Sequence, residues 1–466
     1  MVPDNLRFGG GAAETAIGPL VVFYLLVVCV LVLALPRGKA IVPFLVAYFT
    51  IPAGQVVVLG GLHFTALRIL VLVALVRRAS FKKREKYPAG FCAMDAAVIL
   101  WSISTVLVFW LEFMEVPAVI AGLGTLVDLL GGYFAIRFLL PDGQAMRRAF
   151  RTLAVICVIQ GACMINEQIT GFNVFGLAGG ISTHAAVRDG RIRAAGSLGA
   201  LTAGPFGGVL IPVFLCLWSD RRSRLLAYAG LAGATAMVIT STSSTSWMAL
   251  GGSLLGILFW PLRMHMRRIR WGLVIMLVGL HLVMKAPVWA LIARVDLTGS
   301  SSGYQRYSLV DMTIRHFGDW WLMGTTDFVN WGWDTWDTCN QFVDVALKGG
   351  LVTLLFYIAI FRYGFGAIGR ARKLANGDHG QEWLLWGLGS VLFATIVAQF
   401  GINYQVPLIM SFFALVVFIR IATAEASQAV LRNKGSYEER PATDLPAVVS
   451  YGQPIEATHT LHFLRG

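Results

Sequence analysis

The residues of this chain with the clearest capacity for chemistry are arginines in polar stretches between long apolar runs. One stretch, "VRDGRIRAAGSLGALTAG", holds Arg188, Arg191 and Arg193 close together. A guanidinium group binds phosphate oxygens in a planar, two-pronged geometry, so a cluster of them suits an anionic ligand. The arginines could instead pair with lipid headgroups or with acids of the loop such as Asp189. We expect an anion-binding site in this stretch.

A second polar stretch, "GYQRYSLVDMTIRHFGDWW" (Gly303 to Trp321), predicts a helix with one apolar side. Its apolar residues recur at steps of three and four and form a stripe: Tyr307, Val310, Ile314, Phe317 and Trp321. The charged residues lie off that stripe: Arg306, Asp311, Arg315 and Asp319. We expect this amphipathic helix to lie in a membrane interface, with its stripe in lipid and its charges in water. A plain amphipathic connector is the alternative.

Tryptophans and carboxylates alternate just downstream, in "WLMGTTDFVNWGWDTWDTCNQF". They are Trp331, Trp333 and Trp336, with Asp334 and Asp337 beside them. The C–H face of a sugar ring stacks on an indole ring, and sugar hydroxyl groups hydrogen-bond to carboxylates. This composition therefore suits a carbohydrate. An aromatic belt at a membrane interface is the alternative.

The elements that must position these side chains are membrane spans. The 466-residue chain is 57% hydrophobic and only 14% charged, whereas soluble domains carry about 25% charged residues. We predict an all-α, polytopic integral membrane protein with about 12 or 13 spans. The predicted spans are 17–35, 40–59, 62–76, 92–111, 118–139, 151–167, 198–218, 225–241, 244–261, 272–289, 346–361, 383–400 and 402–421. The first span is expected to be retained, because the N-terminus lacks the basic flank of a signal peptide.

The loops between the predicted spans differ in charge and so predict an orientation. Lys and Arg give the chain a net charge of +13, and they concentrate in short loops on one side, which is then cytoplasmic. This distribution explains the charge without a nucleic-acid partner. The opposite side has two long loops, at about 166–197 and 286–345, which hold the stretches described above. We expect a transmembrane domain over 1–421 and a disordered cytoplasmic tail over 422–466.

Two ionisable residues are predicted near the centres of spans, Arg68 and Asp128. A lone charge in hydrocarbon is costly, so each needs protein, water or a partner around it. We expect the two to pair as a structural clamp, whereas a transporter would use Asp128 as a proton or ion site. The six cysteines show no spacing typical of a disulfide framework or a zinc site.

Taken together, these stretches resemble the bacterial O-antigen polymerase and O-antigen ligase family. The resemblance rests on "RIRAAGSLGALTAG" in one loop and on "GYQRYSLVDMTIRHFGDWWLMGTTD" and "CNQFVDVALKGGLVTLLF" in the other. It covers 188–356 in motif and the whole chain in hydropathy. Polymerases of the family carry paired Arg-x10-Gly motifs; Arg193 and Gly204 have this spacing, and Arg306 reaches Gly318 one residue too far.

The resemblance implies glycan transfer from an undecaprenyl-diphosphate-linked donor, without metal or cofactor, at the outer face of a bacterial inner membrane. Arg191, Arg193 and Arg306 would neutralise the leaving diphosphate. The other residues implied in substrate binding are Arg188, Gly204, Arg315, Asp337 and Asn340. The candidates for a general base are His316, His184, Asp311 and Asp337, and the sequence does not choose among them. We include His316 with Arg193 and Arg306 in the expected catalytic set.

The acceptor would be a hydroxyl group of a second glycan or of a lipid, so the protein would be a polymerase or a ligase. Ligases of the family place a His before the Asn of the second loop, where this chain has Cys339 before Asn340. This difference favours a polymerase or exopolysaccharide-assembly role. Membrane lipid and envelope polysaccharide assembly proteins are further expected partners. Two other classes stay open: a transporter or flippase for a lipid-linked oligosaccharide, and an inactive scaffold of a polysaccharide assembly machine.

Overall fold

A computed structural model describes residues 15–60, 62–80, 90–188, 190–294, 302–332, 335–375 and 377–438. Over these ranges the chain is almost entirely helical, because a helix satisfies its backbone hydrogen bonds within one segment of apolar sequence. Seven helices are long and apolar enough to cross a membrane, and three further apolar helices are shorter. The prediction of an all-α, multi-pass membrane protein is confirmed.

Residues 15–139 hold six α-helices and one pair of strands within the described ranges. The helices are α1 (Pro19–Ala34), α2 (Arg37–Thr50), α3 (Ala66–Ser80), α4 (Ala93–Phe113), α5 (Val116–Leu126) and α6 (Gly132–Leu139). A π-helical turn, Val127–Gly131, joins α5 and α6 into one span. Strands β1 (Val56–Leu59) and β2 (Leu62–Thr65) form an antiparallel hairpin between α2 and α3.

The part of the chain from 143 to 438 holds the remaining helices and both long loops. Its helices are α7 (Gly143–Thr170), α8 (Ala203–Trp218), α9 (Arg224–Thr240), α10 (Ser244–Leu258), α11 (Met266–Val283), α12 (Leu291–Arg294), α13 (Ser302–Arg315), α14 (Phe317–Trp320), α15 (Gln341–Leu374), α16 (His379–Gln399) and α17 (Val406–Glu438). Strands β3 (Ala186–Arg188) and β4 (Arg191–Arg193) form a second antiparallel hairpin in the first loop. The last helix continues well past position 421, so the start of the predicted tail is helical. Residues 439–466 lie outside the described ranges.

Small residues let the long helices approach closely. A Cβ atom added to Gly161 of α7 would lie 2.6 Å from the carbonyl oxygen of Gly233 in α9. A Cβ added to Gly256 of α10 would lie 2.8 Å from Cβ of Ser390 in α16. Because lipid provides little hydrophobic drive between helices, close van der Waals contact of this kind holds a membrane bundle together.

The two ends of the helix bundle differ in charge. The end with the short, Lys- and Arg-rich loops is called the basic end. Asp95 is completely buried at this end and accepts a hydrogen bond from the Tyr133 hydroxyl. The same carboxylate lies 2.9 Å from Arg137 and 3.4 Å from Arg420, and it caps α4 through the backbone N–H of Cys92. This cluster ties α4, α6 and α17 together. The opposite end carries both long loops and is called the loop end.

The β1–β2 hairpin occupies positions that the sequence analysis assigned to membrane spans. Helices α2 and α3 therefore have only 14 and 15 residues. The side chain of Gln55 joins the base of this hairpin to the first long loop, donating to the carbonyl oxygens of Ala178 and Gly179. It also accepts a hydrogen bond from the backbone N–H of Gly18. These contacts hold the base of the hairpin against protein, whereas Leu59 and Leu62 at its tip are exposed.

Arg68 and Asp128 form the predicted clamp. The Arg68 Nε atom lies 3.1 Å from Asp128 Oδ1, and Nη2 lies 2.6 Å from Oδ2, so the pair has two parallel hydrogen bonds. Arg68 also donates to the carbonyl oxygen of His63. Asp128 lies in the π-helical turn, so the clamp holds α3 against the α5–α6 span. This arrangement supports a structural role for both residues.

We expect Arg68→Met or Asp128→Leu alone to destabilise the protein by about 3 kcal/mol, because each leaves a largely buried charge without its partner. The double substitution should recover most of that loss. A double-mutant cycle on unfolding in detergent measures the coupling between the two residues. Additive losses would contradict the clamp. A transport cycle that depends on Asp128 and is abolished by Asp128→Asn would instead support the transporter alternative.

Candidate functional site

A run of seven hydroxyl residues, Thr240 to Ser246, lies at the loop end and is called the hydroxyl turn. Helix α9 ends at Thr240 and α10 begins at Ser244. Thr242 between them has a φ angle of 45°, which a β-branched residue rarely adopts. Side-chain hydroxyls meet here: Ser241 Oγ lies 2.7 Å from Ser246 Oγ. The turn is therefore a strained, polar connection between two apolar helices.

Arg306 reaches the hydroxyl turn from the second long loop. Its Nη2 atom donates to Ser244 Oγ at 2.8 Å and to Thr245 Oγ1 at 3.1 Å. Thr245 in turn donates to the carbonyl oxygen of Gly401, in the connection between α16 and α17. Arg306 is only 6% exposed. Helix α13 thus places a buried guanidinium group at the N-terminus of α10.

The first long loop reaches the same turn through β4. The Thr242 hydroxyl donates to the carbonyl oxygen of Ile192, and the backbone N–H of Ala194 donates to the carbonyl oxygen of Thr240. Arg193 lies between these two hydrogen bonds and is half-buried. Arg193 and Arg306 therefore flank one structural feature, although they are far apart in sequence.

The β3–β4 hairpin, called the arginine hairpin, gathers the other arginines of the first stretch. Arg188 is paired directly with Arg191, and Ala186 with Arg193. Because residues at alternate positions of a strand share a face, all three arginines lie on one side of the hairpin. Gly190 has a φ angle of 71°, as the tight turn between the strands requires. The hairpin presents a concentrated positive charge.

Buried polar contacts fix the segment that follows the arginine hairpin. Glu167 Oε2, at the end of α7, accepts from the backbone N–H groups of Ala195 and Gly196. The Ser197 hydroxyl donates to the carbonyl oxygen of Phe49, as does the side chain of Gln160. These contacts tie the base of the hairpin to α2 and α7 and so hold the arginines in place.

Gly204 packs directly against the hydroxyl turn. A Cβ atom added to it would lie 2.0 Å from Ser246 Oγ and 2.2 Å from Ser241 Oγ. Any side chain at this position would displace those hydroxyl groups. The Arg193–Gly204 spacing therefore has a physical basis, because Gly204 and the residues on both sides of Arg193 contact the same turn. Gly204 acts through packing.

The structure corrects the predicted helix in the second long loop. Helix α13 ends at Arg315, and the backbone turns at His316 before the single turn of α14. The lower part of the predicted stripe is exposed, with Ile314, Phe317 and Trp321 each close to half-exposed. An apolar stripe on the outside of the molecule agrees with a position against lipid.

The expectation that the charges of this helix face water is only partly right. The Arg315 and Asp319 side chains are mostly exposed, but Arg306 and Asp311 are buried against the protein. Asp311 accepts from Trp289 Nε1 at 3.0 Å and from Arg315 Nε at 2.7 Å. The hydrogen bonds available inside the protein outweigh hydration on this side of the helix. Asp311 is fixed as a structural acceptor.

His316 lies at the junction of α13 and α14. Its Nδ1 atom is 2.9 Å from Asp319 Oδ2, and its ring stacks on Trp331 with 4.5 Å between centroids. The ring is therefore held by a carboxylate and an indole while part of it stays exposed. The rise of an α-helix places His316 about 15 Å from Arg306 along α13.

The end of the second loop is joined firmly to α15. The Asn340 side chain caps that helix by accepting from the backbone N–H groups of Phe342 and Val343. Gly350, inside α15, has a φ angle of 72° and breaks the helical ladder. Two backbone groups of α15 then pair with the loop. The N–H group of Leu351 donates to the carbonyl oxygen of Trp321, and the carbonyl oxygen of Leu347 accepts from the N–H group of Thr325.

The predicted residues of the two long loops also include His184, Asp337 and Trp336. His184 is exposed and pairs with Phe172 in a short bridge before the arginine hairpin. Asp337 is half-buried, and its backbone carbonyl accepts from the N–H of Cys339. Asp189, Trp333 and Asp334, which the sequence also pointed to, lie outside the described ranges. Trp336 is exposed.

Sequence reasoning missed the hydroxyl turn itself. The signal was present, because seven consecutive hydroxyl residues between two apolar runs are unusual in a membrane protein. Within the described ranges, no three His, Cys, Asp or Glu side chains are grouped as metal ligands would be. The structure thus brings together Arg193, Gly204 and Arg306, with Arg188 and Arg191 on the adjoining hairpin. No protein-family model matches the sequence, and no curated protein matches it.

Proposed function

We propose that the protein transfers or polymerises glycans from an undecaprenyl-diphosphate-linked donor at its loop end, on the outer face of a bacterial inner membrane. The observation that carries this proposal is the convergence of the two long loops on the hydroxyl turn. Arg193 and Arg306 flank that turn, and the arginine hairpin continues the positive charge. A diphosphate is the anion that such an arrangement suits.

The proposed reaction is a displacement at the anomeric carbon of the donor sugar. An acceptor hydroxyl oxygen forms the new bond to that carbon, and the bond to the diphosphate oxygen breaks with its electron pair. The hydroxyl proton passes to a base, and the negative charge grows on the leaving diphosphate. Fixed cations next to that charge lower the barrier, because they need no reorganisation during the reaction. Arg306 and Arg193 would supply this stabilisation.

The N-terminus of α10 strengthens the proposed anion site. Its first backbone N–H groups have no partner within the helix, and the helix dipole makes this end positive. Ser244 and Thr245 hold Arg306 at the same end. Arg306 therefore adds its charge to the positive end of the helix.

The distance along α13 favours a glycan-contacting position for His316. The hydroxyl that attacks must lie within a few ångströms of the anomeric carbon, whereas the backbone of His316 is displaced from that of Arg306 by about 15 Å of rise along α13. Its exposed ring edge and the neighbouring Asp319 suit hydrogen bonds to sugar hydroxyl groups farther along the chain. Asn340 would support the site indirectly, by capping α15 beneath the loop.

We expect Arg193→Ala to lower transfer by about 10²-fold, since it removes a cation beside the proposed leaving group. Arg191→Ala should lower the transfer rate less than Arg193→Ala does, because Arg191 is exposed whereas Arg193 is half-buried. Reconstituted protein with an undecaprenyl-diphosphate-linked oligosaccharide, without metal or nucleotide sugar, measures both rates by gel analysis. Arg222→Ala at the basic end is the matched control. Equal activity in all three variants would contradict the proposed anion site.

The same reaction separates the two forms of the proposed activity. A ladder of longer lipid-linked products from one donor would identify a polymerase. Transfer only after a lipid or protein acceptor is added would identify a ligase. A folded protein that forms no new linkage in either experiment would move the interpretation to a flippase or to an inactive scaffold.

A further inference from the structure

A cluster of tryptophans and arginines lies at the basic end, where α10 and α15 end and α16 begins. Trp260 and Arg263 follow α10, Arg372 lies in the last turn of α15, and Trp383 and Trp386 lie near the start of α16. The Trp260 ring packs edge-on against the other two, with centroid distances of 5.1 Å to Trp383 and 5.9 Å to Trp386. We call this group the tryptophan–arginine cluster. It joins three helices at the end opposite the hydroxyl turn.

Ring faces hold both guanidinium groups of this cluster. The Arg263 Cζ atom lies 4.2 Å from the ring centroid of Trp260, and the Arg372 Cζ atom lies 4.9 Å from that of Trp386. A cation–π contact fixes the plane of a guanidinium group without using its N–H donors. The donors of both arginines therefore remain available for another partner.

Those donors find few acceptors in the protein. Among the residues that the structure describes, Arg372 donates no hydrogen bond, and Arg263 donates one long bond, of 3.4 Å, to the carbonyl oxygen of Trp260. The Nε atoms of both arginines are buried without an acceptor. A buried donor that has lost water and gained no partner costs free energy, and more so in a charged group. An added acceptor would recover that loss.

The carboxylate of the cluster does not satisfy the two cations. Glu382 is only 7% exposed, and its Oε2 atom lies 3.7 Å from Arg263 Nε. That distance is too long for a hydrogen bond. Two arginines and one glutamate leave the cluster with one excess positive charge. A singly charged anion would neutralise it.

The outer side of the cluster faces lipid. Leu258, in the last turn of α10, is 72% exposed, and Leu262, beside Arg263, is 45% exposed. Tryptophans and arginines beside such residues are typical of the boundary between hydrocarbon and headgroups. Basic pockets between helices at the cytoplasmic boundary suit lipid phosphates. The anion that reaches this position most directly is the headgroup of a phospholipid.

We propose that the tryptophan–arginine cluster binds the headgroup of an anionic phospholipid, with the phosphodiester between Arg263 and Arg372. The phosphate oxygens accept from guanidinium donors that lack a partner in the protein. A zwitterionic lipid brings no net negative charge, so phosphatidylglycerol is preferred over phosphatidylcholine. The bound lipid joins α10, which carries the hydroxyl turn at its other end, to α15 and α16. This inference is independent of the proposed transferase activity.

The test is native mass spectrometry of the full chain in neutral detergent, titrated with phosphatidylglycerol or with phosphatidylcholine of the same acyl chains. We expect the first phosphatidylglycerol to bind about tenfold more tightly. Replacing Arg263 and Arg372 together with Gln should remove this preference. The matched control replaces Arg267 and Arg268, two exposed residues at the start of α11, with Gln. It removes the same charge and should keep the preference.

Glu382→Gln provides a test with the opposite sign. Glu382 competes with the phosphate for the two arginines, so this variant should bind phosphatidylglycerol more tightly than the parent protein does. Weaker binding in Glu382→Gln would overturn the proposal, because the arginines would then depend on the carboxylate for their position. An equal loss of preference in both double variants would reduce the effect to general surface charge and overturn it as well. Displacement of the lipid by an equal concentration of glycerol 1-phosphate would overturn the assignment to a membrane lipid.

Discussion

Arg306→Ala lowers glycan transfer by about 10²–10³-fold, the largest effect on activity that we expect from one substitution. The residue is buried, it binds two hydroxyl groups of the turn, and it occupies the positive end of α10. Removing it deletes the cation nearest to the proposed diphosphate. The rate of lipid-linked product formation in reconstituted bilayers is the measurement.

Two further substitutions distinguish the charge of Arg306 from its bulk. Arg306→Met fills the buried space without charge and should be as inactive as Arg306→Ala. Arg306→Lys keeps the charge but loses the planar fork, so an intermediate rate is expected. Each variant should keep the unfolding midpoint within a few degrees of the parent protein. Full activity in Arg306→Met would show that the guanidinium group only fills space.

Asp95→Ala has the largest expected effect on stability, a loss of about 3–5 kcal/mol. The carboxylate is completely buried and pairs with Arg137 and Arg420. Its removal leaves two buried guanidinium groups without the charge that they share. Denaturant unfolding in detergent, followed by the tryptophan signal, would report the change.

The other members of this cluster provide its control. Replacing Asp95, Arg137 and Arg420 together with apolar residues of similar size should restore most of the lost stability, because no buried charge is then left. Asp220→Asn removes an exposed partner of Arg151 at the same end and should change stability little. A small loss for Asp95→Ala, equal to that of Asp220→Asn, would contradict the cluster's structural importance.

The hydropathy of the sequence predicted where most of the apolar helices lie, since ten of the thirteen predicted spans overlap an apolar helix that could cross a membrane or a shorter one; the exceptions are 40–59, 62–76 and 272–289. It failed over 51–65, where an apolar run forms a strand hairpin. Short apolar runs fit a buried strand as well as a helix, and periodicity alone does not separate them. The signal that could have done so is the pair Gly60–Gly61 between the four-residue runs VVVL and LHFT, which are rich in β-branched and aromatic residues.

The sequence predicted the arginines of the candidate site but not the hydroxyl turn between them. Arg193, Gly204 and Arg306 came from spacing and resemblance, and the structure brings them to one turn. The hydroxyl turn went unrecognised because Ser and Thr are common helix connectors. The inward side of α13 was also missed, since a hydropathy stripe shows which residues avoid water but not which polar residues find partners inside the protein.

The short helix at the hydroxyl turn has a consequence for the surrounding bilayer. Helix α10 has 15 residues, or about 22 Å, against a hydrocarbon thickness of about 30 Å. If the basic end of α10 lies at one boundary, the turn is recessed several ångströms below the other, and the longer span Arg221–Thr240 must tilt to meet it. The membrane must then thin or admit water there, so the thickness of the host bilayer would become a variable of catalysis.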